Sequence, residues 1–266
     1  MNEIQNIVRT IYDADPGSEY SRIENRPEFL LTCRMLDRYI KPGDTVLDIG
    51  GGPGRYTLYL AEKGSHMTLL DLSPENVKFA SERAAEKGCA IKTVVGDACE
   101  ADKLTEGLFD HVLLMGPVYH LEKTNRISAV NAALSLLKPG GVIYITFINM
   151  LCRIIASMKY NPGYISTDNP ATVIFMENFL AERSYFDIWS GTFYINQDEI
   201  LPFMEQFPLE KLHLFGQEGI VSPCESNIMS QPKEIMDAWL DLCEKIWERE
   251  ELLSWSQYLM YIGKKI

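Results

Sequence analysis

Asp48, Asp71 and Asp97 each close a short apolar run, and Gly50-Gly51-Gly52-Pro53-Gly54 follows the first of them. A carboxylate accepts hydrogen bonds through two oxygens. A strand that turns at once into a helix, with a ligand pressed on its backbone, needs glycines there, because they adopt positive φ and carry no Cβ. A nicotinamide dinucleotide makes the same demand through Gly-x-Gly-x-x-Gly. That fingerprint fails, because Arg55 takes the third position counted from Gly50 and Gly52, and Thr57 takes it counted from Gly52 and Gly54. Each aspartate also has a plain structural alternative: Asp48 and Asp71 as helix caps, Asp97 as a turn residue.

The elements that would bring these residues together can be read from period and punctuation. Ile4, Ile7, Val8, Ile11 and Tyr12 recur at helical spacing, and Asp15-Pro16-Gly17 breaks that helix. A second helix is expected over about 27–39, stopped by Lys41-Pro42-Gly43. From Asp44 short apolar strands alternate with helices: strands at 45–49, 66–70, 91–95, 109–115 and 142–147, and helices at 54–63, from Ser73-Pro74 to Lys87-Gly88, and around 127–137. This rhythm predicts right-handed βαβ units and a parallel sheet covered on both faces. Two more strands near 209–215 and 257–262 make seven, with a helix from Pro232 to about Glu248 between them. The fold class is α/β, a doubly wound and mostly parallel sheet. In such a sheet ligands bind at the carboxyl ends of the strands, which is where the three aspartates fall.

The chain has 266 residues and 46% hydrophobic composition, which suits one domain with decorations: a helical cap over 1–40, a core over 41–150, an insert over 151–200 and the end of the core over 201–266. The net charge of −12, spread along the chain, opposes a phosphate backbone and argues against a nucleic-acid partner. Six scattered cysteines with no Cys-x-x-Cys pair suggest neither a disulfide framework nor a zinc site, and they read as the reduced thiols of a cytoplasmic protein. Residues 1–10 carry Glu3 and Arg9 without an apolar core, unlike a secretory signal. The most apolar run, 142–148, is too short to cross a bilayer, so no membrane association is expected.

The run Val46 to Gly54 resembles the first motif of the class I S-adenosylmethionine-dependent methyltransferases. Leu69-Leu70-Asp71-Leu72-Ser73 is similar to that family's acidic second motif and Val95-Gly96-Asp97-Ala98 to its third. Phe109-Asp110-His111-Val112, continuing to Tyr119-His120-Leu121, is similar to the fourth, and Leu137-Lys138-Pro139-Gly140-Gly141 to the approach to the fifth strand. The similarity covers about 45–147 and is nearest to the small-molecule branch that includes ubiquinone and menaquinone biosynthesis enzymes. It implies S-adenosylmethionine as cofactor and S-adenosylhomocysteine as product. Gly50, Gly51, Gly52 and Gly54 would lie under the methionine and ribose parts. Asp71 would accept from both ribose hydroxyls and Asp97 from the adenine amino group, with Leu72, Ala98 and Met115 around the ring. Asp48 would brace the turn. Methyl transfer then needs an acceptor held in line with the S–CH₃ bond, and a base only where the acceptor is protonated.

Of the four histidines, His120 alone follows the fourth strand end; with Tyr119 beside it, it is the candidate base or acceptor-orienting group, with packing as the alternative. Leu114-Met115-Gly116-Pro117 offers no carboxylate for Mg²⁺, so metal-independent chemistry is expected. In the segment joining the first two helices, Tyr20 and Arg26 are candidates for the cofactor's carboxylate, a solvated loop being the alternative. The insert carries nine aromatic residues between Tyr160 and Tyr194, which suits a lid and acceptor pocket over the fifth strand end, a cover for the sheet edge or a dimer contact. The expected reaction is methyl transfer to O, N or S of a small, partly apolar molecule by a monomer or homodimer. Its alternatives are an RNA or protein target, or a non-catalytic protein that binds the cofactor.

Overall fold

Five parallel strands form the middle of the sheet: β1 (Thr45–Ile49), β2 (His66–Asp71), β3 (Ile91–Val95), β4 (Phe109–Leu114) and β5 (Leu137–Asn149), in the order β3-β2-β1-β4-β5. The computed structural model describes residues 3–166 and 168–266; Met1 and Asn2, part of the stretch read for a leader, and Thr167 in the insert lie outside the described residues.

Largely apolar, buried runs make β1, β2 and β4 because both sheet faces are covered there, whereas β3 at the edge is half exposed. Leu47, Leu114 and Ile143 pack with α6 (Ala101–Leu104), α7 (Lys123–Ser135) and α10 (Gln197–Met204). Val46, Leu113 and Tyr144 pack on the other face with α3 (Pro27–Tyr39), α4 (Arg55–Glu62) and α12 (Lys233–Ile246). Between β2 and β3, α5 (Pro74–Glu86) starts at Ser73, whose hydroxyl accepts from Asn76 N–H at 3.0 Å, with Pro74 at the first helical position. The winding reverses at β1, so a crevice opens between the carboxyl ends of β1 and β4.

The amino-terminal helix α1 (Glu3–Asp13) is followed at once by α2 (Pro16–Arg22). Asp15-Pro16-Gly17 thus ends one helix and begins another: the Asp15 carboxylate accepts from Ser18 N–H at 2.9 Å, and Pro16 sits where its missing N–H costs nothing. The helix expected to reach Leu137 stops at Ser135, because Leu137 already pairs with Phe109.

Among the described residues the sheet has nine strands rather than the seven expected, and the insert supplies the extra two. It folds as α8 (Leu151–Tyr160), α9 (Pro170–Leu180) and the hairpin β6 (Tyr185–Asp187) and β7 (Thr192–Ile195). β4 ends at Leu114 opposite Ile145 while β5 runs on to Asn149, and β7 pairs parallel with Ile148 and Asn149 along the edge that β4 has left. Some of its aromatic residues build a small core of their own: Phe175 is fully buried against Phe179, Tyr185 and Tyr194, beside Ile148 and Met150. β8 (Leu209–Gly216), α11 (Glu225–Met229), α13 (Glu250–Leu253) and β9 (Tyr258–Lys265) complete the chain, β9 running antiparallel between β5 and β8. Among the described residues no helix is long and apolar enough to cross a membrane.

Candidate active site

A cavity opens at the carboxyl ends of β1, β2, β3 and β4, in the crevice that the strand order creates. Its walls include Asp48, Gly50, Gly51 and Gly52 after β1, Asp71 and Leu72 at the end of β2, Asp97 and Ala98 after β3, and Met115, Tyr119 and His120 after β4. Gln5, Val8, Arg9 and Tyr12 of α1 lie across it, and Arg22 and Glu28 from the start of the chain close another side.

The aspartates differ in their surroundings. Asp48 is buried, and its Oδ2 accepts from Thr57 Oγ1 at 2.6 Å; burial, with the Asp71 charge nearby, pushes its carboxyl up to about 7 in spite of the Thr57 bond. Asp71 accepts Gly52 N–H at 2.8 Å on Oδ2 and Ser73 N–H at 2.9 Å on Oδ1. Burial raises it above the usual carboxylate range, and these backbone donors with Asn76 Nδ2 pull it back. The helix-cap alternative thus holds in part: Asp71 organises both turns. Oδ2 keeps a second lone pair, whereas Oδ1 takes Asn76 Nδ2 as a second, longer donor at 3.3 Å, and Asn76 Oδ1 beside it is buried with no partner among the described residues. Asp97 accepts Cys99 N–H at 2.9 Å, as a turn residue does, and its other oxygen accepts from Gln5 Nε2 of α1.

His120 closes the short 3-10 helix Pro117–His120. Its Nδ1 lies 2.9 Å from the Gly191 carbonyl, which can only accept, so Nδ1 carries the proton and Nε2 accepts from the Tyr12 hydroxyl at 3.0 Å. Burial brings the ring down to about 4, against the small opposing effect of the Gly191 bond. The folded ring is therefore neutral where the unfolded one, at its ordinary 6.5, is already taking up a proton. Its contribution to stability is whole above pH 6.5 and is lost as pH falls toward 4. His120→Gln should flatten the acid limb of a stability-against-pH curve; parallel limbs for the two proteins would show that the ring is not held neutral.

Three of the expected residues stand elsewhere. Tyr20 is buried in α2 against Phe79 and under the Arg55 guanidinium, outside the cavity wall. Arg26 is bound to Glu225, with Nη2 to Oε2 at 2.7 Å, and Lys159 meets the same carboxylate at 2.6 Å; the two cations outweigh burial and hold Glu225 below its usual value. Arg26→Ala should leave cofactor affinity unchanged and cost about 1–3 kcal/mol of stability in denaturant unfolding; a loss of affinity would return Arg26 to the site. Gly54 does not line the cavity. Its φ of +85° starts α4, and a Cβ would fall 2.9 Å from Ala80 Cβ, so it lets α4 and α5 approach. Among the described residues none of the insert lines the cavity, and its contribution is the Gly191 carbonyl behind His120.

Sequence reasoning passed over Gln5, Tyr12, Arg22 and Glu28. Tyr12 looked like one more apolar position of an amphipathic helix. Arg22 lies four residues from the arginine chosen, and nothing in the sequence distinguishes the two.

Residues 46–141 match the family model described as a methyltransferase domain. The chain is 32% identical over 123 residues to the ubiquinone biosynthesis O-methyltransferase of Caulobacter vibrioides, covering 46% of this chain and 48% of that protein. It is 33% identical over 108 residues to phosphoethanolamine N-methyltransferase 1 of Zea mays, covering 40% of this chain and 21% of that one. The chain thus spans about half the length of the ubiquinone-type relatives it matches. Among solved structures, the 1,6-didemethyltoxoflavin-N1-methyltransferase of Burkholderia thailandensis shares the fold with a TM-score of 0.60 at 16% identity, over 98% of this chain and 88% of that one. The magnesium protoporphyrin IX methyltransferase of Synechocystis does so with a TM-score of 0.59 at 12% identity, over 100% and 99%. Residues 46–141 are thus similar to a methyltransferase domain, and the chain as a whole shares the fold of these solved methyltransferase structures.

Proposed function

We propose that the cavity binds S-adenosylmethionine and that the protein transfers its methyl group to O, N or S of a small, partly apolar molecule. The observation that carries this reading is the convergence of Asp71 and Asp97, from the ends of neighbouring parallel strands, on one cavity beside the Gly50–Gly52 turn. The residues fit an adenosyl group. Asp71 Oδ2 has a lone pair left for one ribose hydroxyl, Oδ1 would take the other by displacing its long bond from Asn76 Nδ2, and the orphaned Asn76 Oδ1 offers a further acceptor at that end. Asp97 would take the adenine amino group in the place of the Gln5 amide, with Leu72, Ala98 and Met115 about the ring. Arg22 of the cavity wall replaces Arg26 as the guanidinium that a cofactor carboxylate would meet, in competition with Glu19 and Glu28.

The sulfonium supplies a methyl group that is already electrophilic, so the protein's task is to hold the acceptor in line and keep water out. Tyr12 and Tyr119 stand in the wall where an acceptor would lie. Because Tyr12 donates its proton to His120, it presents only lone pairs to the cavity and would orient an acceptor through that acceptor's own N–H or O–H. His120 then acts through Tyr12, as a positioning residue. Incubation with S-adenosylmethionine and a panel of small nucleophiles should yield S-adenosylhomocysteine at a rate that a chelator leaves unchanged. A chelator-sensitive rate would contradict the metal-independent scheme, and failure of every acceptor would contradict the assignment.

A further inference from the structure

Glu28 has no part in the reading above. It occupies the first turn of α3, and its side chain, 13% exposed, stands in the cavity wall. Its ion pair is loose: Arg22 reaches it only through Nη1 at 3.5 Å, while Arg22 Nε is turned to both oxygens of Glu19 at 3.0 and 3.1 Å. Glu19 also lines the cavity, so one cation there serves two carboxylates. The other two arginines in the wall are matched already, Arg9 with Asp13 and Arg55 with Glu24. Arg26, whose charge also reaches Glu28, is bound to Glu225. On the Glu28 side of the cavity two carboxyl groups therefore face a single guanidinium. Tyr12, Tyr56 and Tyr119 share its wall. Aromatic faces beside a carboxylate attract an ammonium group, and they repel the phenolates and carboxylates that are the anionic alternatives for a methyl acceptor.

We propose that Glu28 fixes the substrate class as a small amine with an apolar body, its nitrogen hydrogen-bonded to the Glu28 carboxylate. This rests on the reading that the cavity holds S-adenosylmethionine. A protonated amine passes one N–H proton to Glu28. The freed nitrogen lone pair forms the N–CH₃ bond, the C–S pair stays on sulfur as a neutral thioether, and the positive charge moves from sulfur to nitrogen. Burial holds the Glu28 carboxyl above its usual range, against the pull of Arg22 and Arg26, which brings it nearer to an amine in proton affinity.

The test compares wild-type protein with Glu28→Gln, which keeps the shape and removes the charge. Both are titrated calorimetrically with S-adenosylhomocysteine, then assayed for methyl transfer to phenethylamine, phenethyl alcohol and phenylacetate. Both proteins should bind S-adenosylhomocysteine alike, which also shows the variant to be folded. The wild type should prefer the amine by roughly 100-fold in kcat/KM, and the variant should lose about that factor. Equal use of the three probes, or preference for the alcohol or the acid, overturns the proposal. So does a fall of about tenfold or more in the variant's S-adenosylhomocysteine affinity, because it would place Glu28 on the cofactor's own ammonium group. A wild type that does not bind S-adenosylhomocysteine at all instead overturns the underlying assignment.

Discussion

Asp71→Ala should weaken S-adenosylhomocysteine binding by roughly 100-fold or more, since two charge-assisted hydrogen bonds to ribose hydroxyls would be lost at about 1.5–3 kcal/mol each. The same change removes the acceptor for Gly52 N–H and Ser73 N–H, so part of the loss would come from a disordered turn rather than from missing contacts. Asp71→Asn separates the two effects. The amide keeps one oxygen for a backbone donor, so its unfolding midpoint should stay closer to the wild type while affinity still falls. Calorimetry and denaturant unfolding of both variants check this. Unchanged affinity in Asp71→Ala would remove the residue from the site.

Gly50→Ala should be nearly as damaging, through the backbone. Gly50 has φ of +71°, and a Cβ there would lie 2.4 Å from Pro117 Cγ and 2.5 Å from Pro117 Cδ. The proline ring is stiff and belongs to the turn after β4, which packs so closely that a Cβ on Gly116 would stand 3.0 Å from the Gly50 carbonyl oxygen. Left-handed strain and the clash together should cost on the order of 2–4 kcal/mol. Either turn that yields would move Gly50–Gly52 or Met115 in the cavity wall, so cofactor affinity should fall with stability. Wild-type affinity in a stable Gly50→Ala protein would show that the two turns do not need their close approach.

Much of this architecture was legible because local signals and tertiary demand agree. β1 and α3 fall at their expected bounds, since an apolar run buried on both faces or a proline at the first helical position leaves little room for slippage, and β3 does so although it is a half-exposed edge strand. The Asp15-Pro16-Gly17 break was half read, because Pro and Gly mark the end of one helix and, behind an aspartate cap, the start of another. The Asp71 and Asp97 positions followed from strand ends alone. Arg26 and Tyr20 could not be placed in the same way: their partners, Glu225 and Phe79, lie 199 and 59 positions away, and only packing reveals them. Of the insert's aromatic residues, Tyr164, Phe179, Tyr185 and Tyr194 gather around Phe175, Phe186 and Phe193 join the main core, and Tyr160 and Trp189 stay exposed. Glu28 is a surface residue by type, and it became notable only when its single cation proved to be shared with Glu19.

The most direct test is a crystal structure with S-adenosylhomocysteine bound. The account predicts the ribose hydroxyls on Asp71, the adenine amino group on Asp97 with the Gln5 amide displaced, and the thioether sulfur facing the Tyr12–His120 pair. A ligand seated elsewhere, or one whose ribose and adenine leave both aspartates untouched, would contradict it.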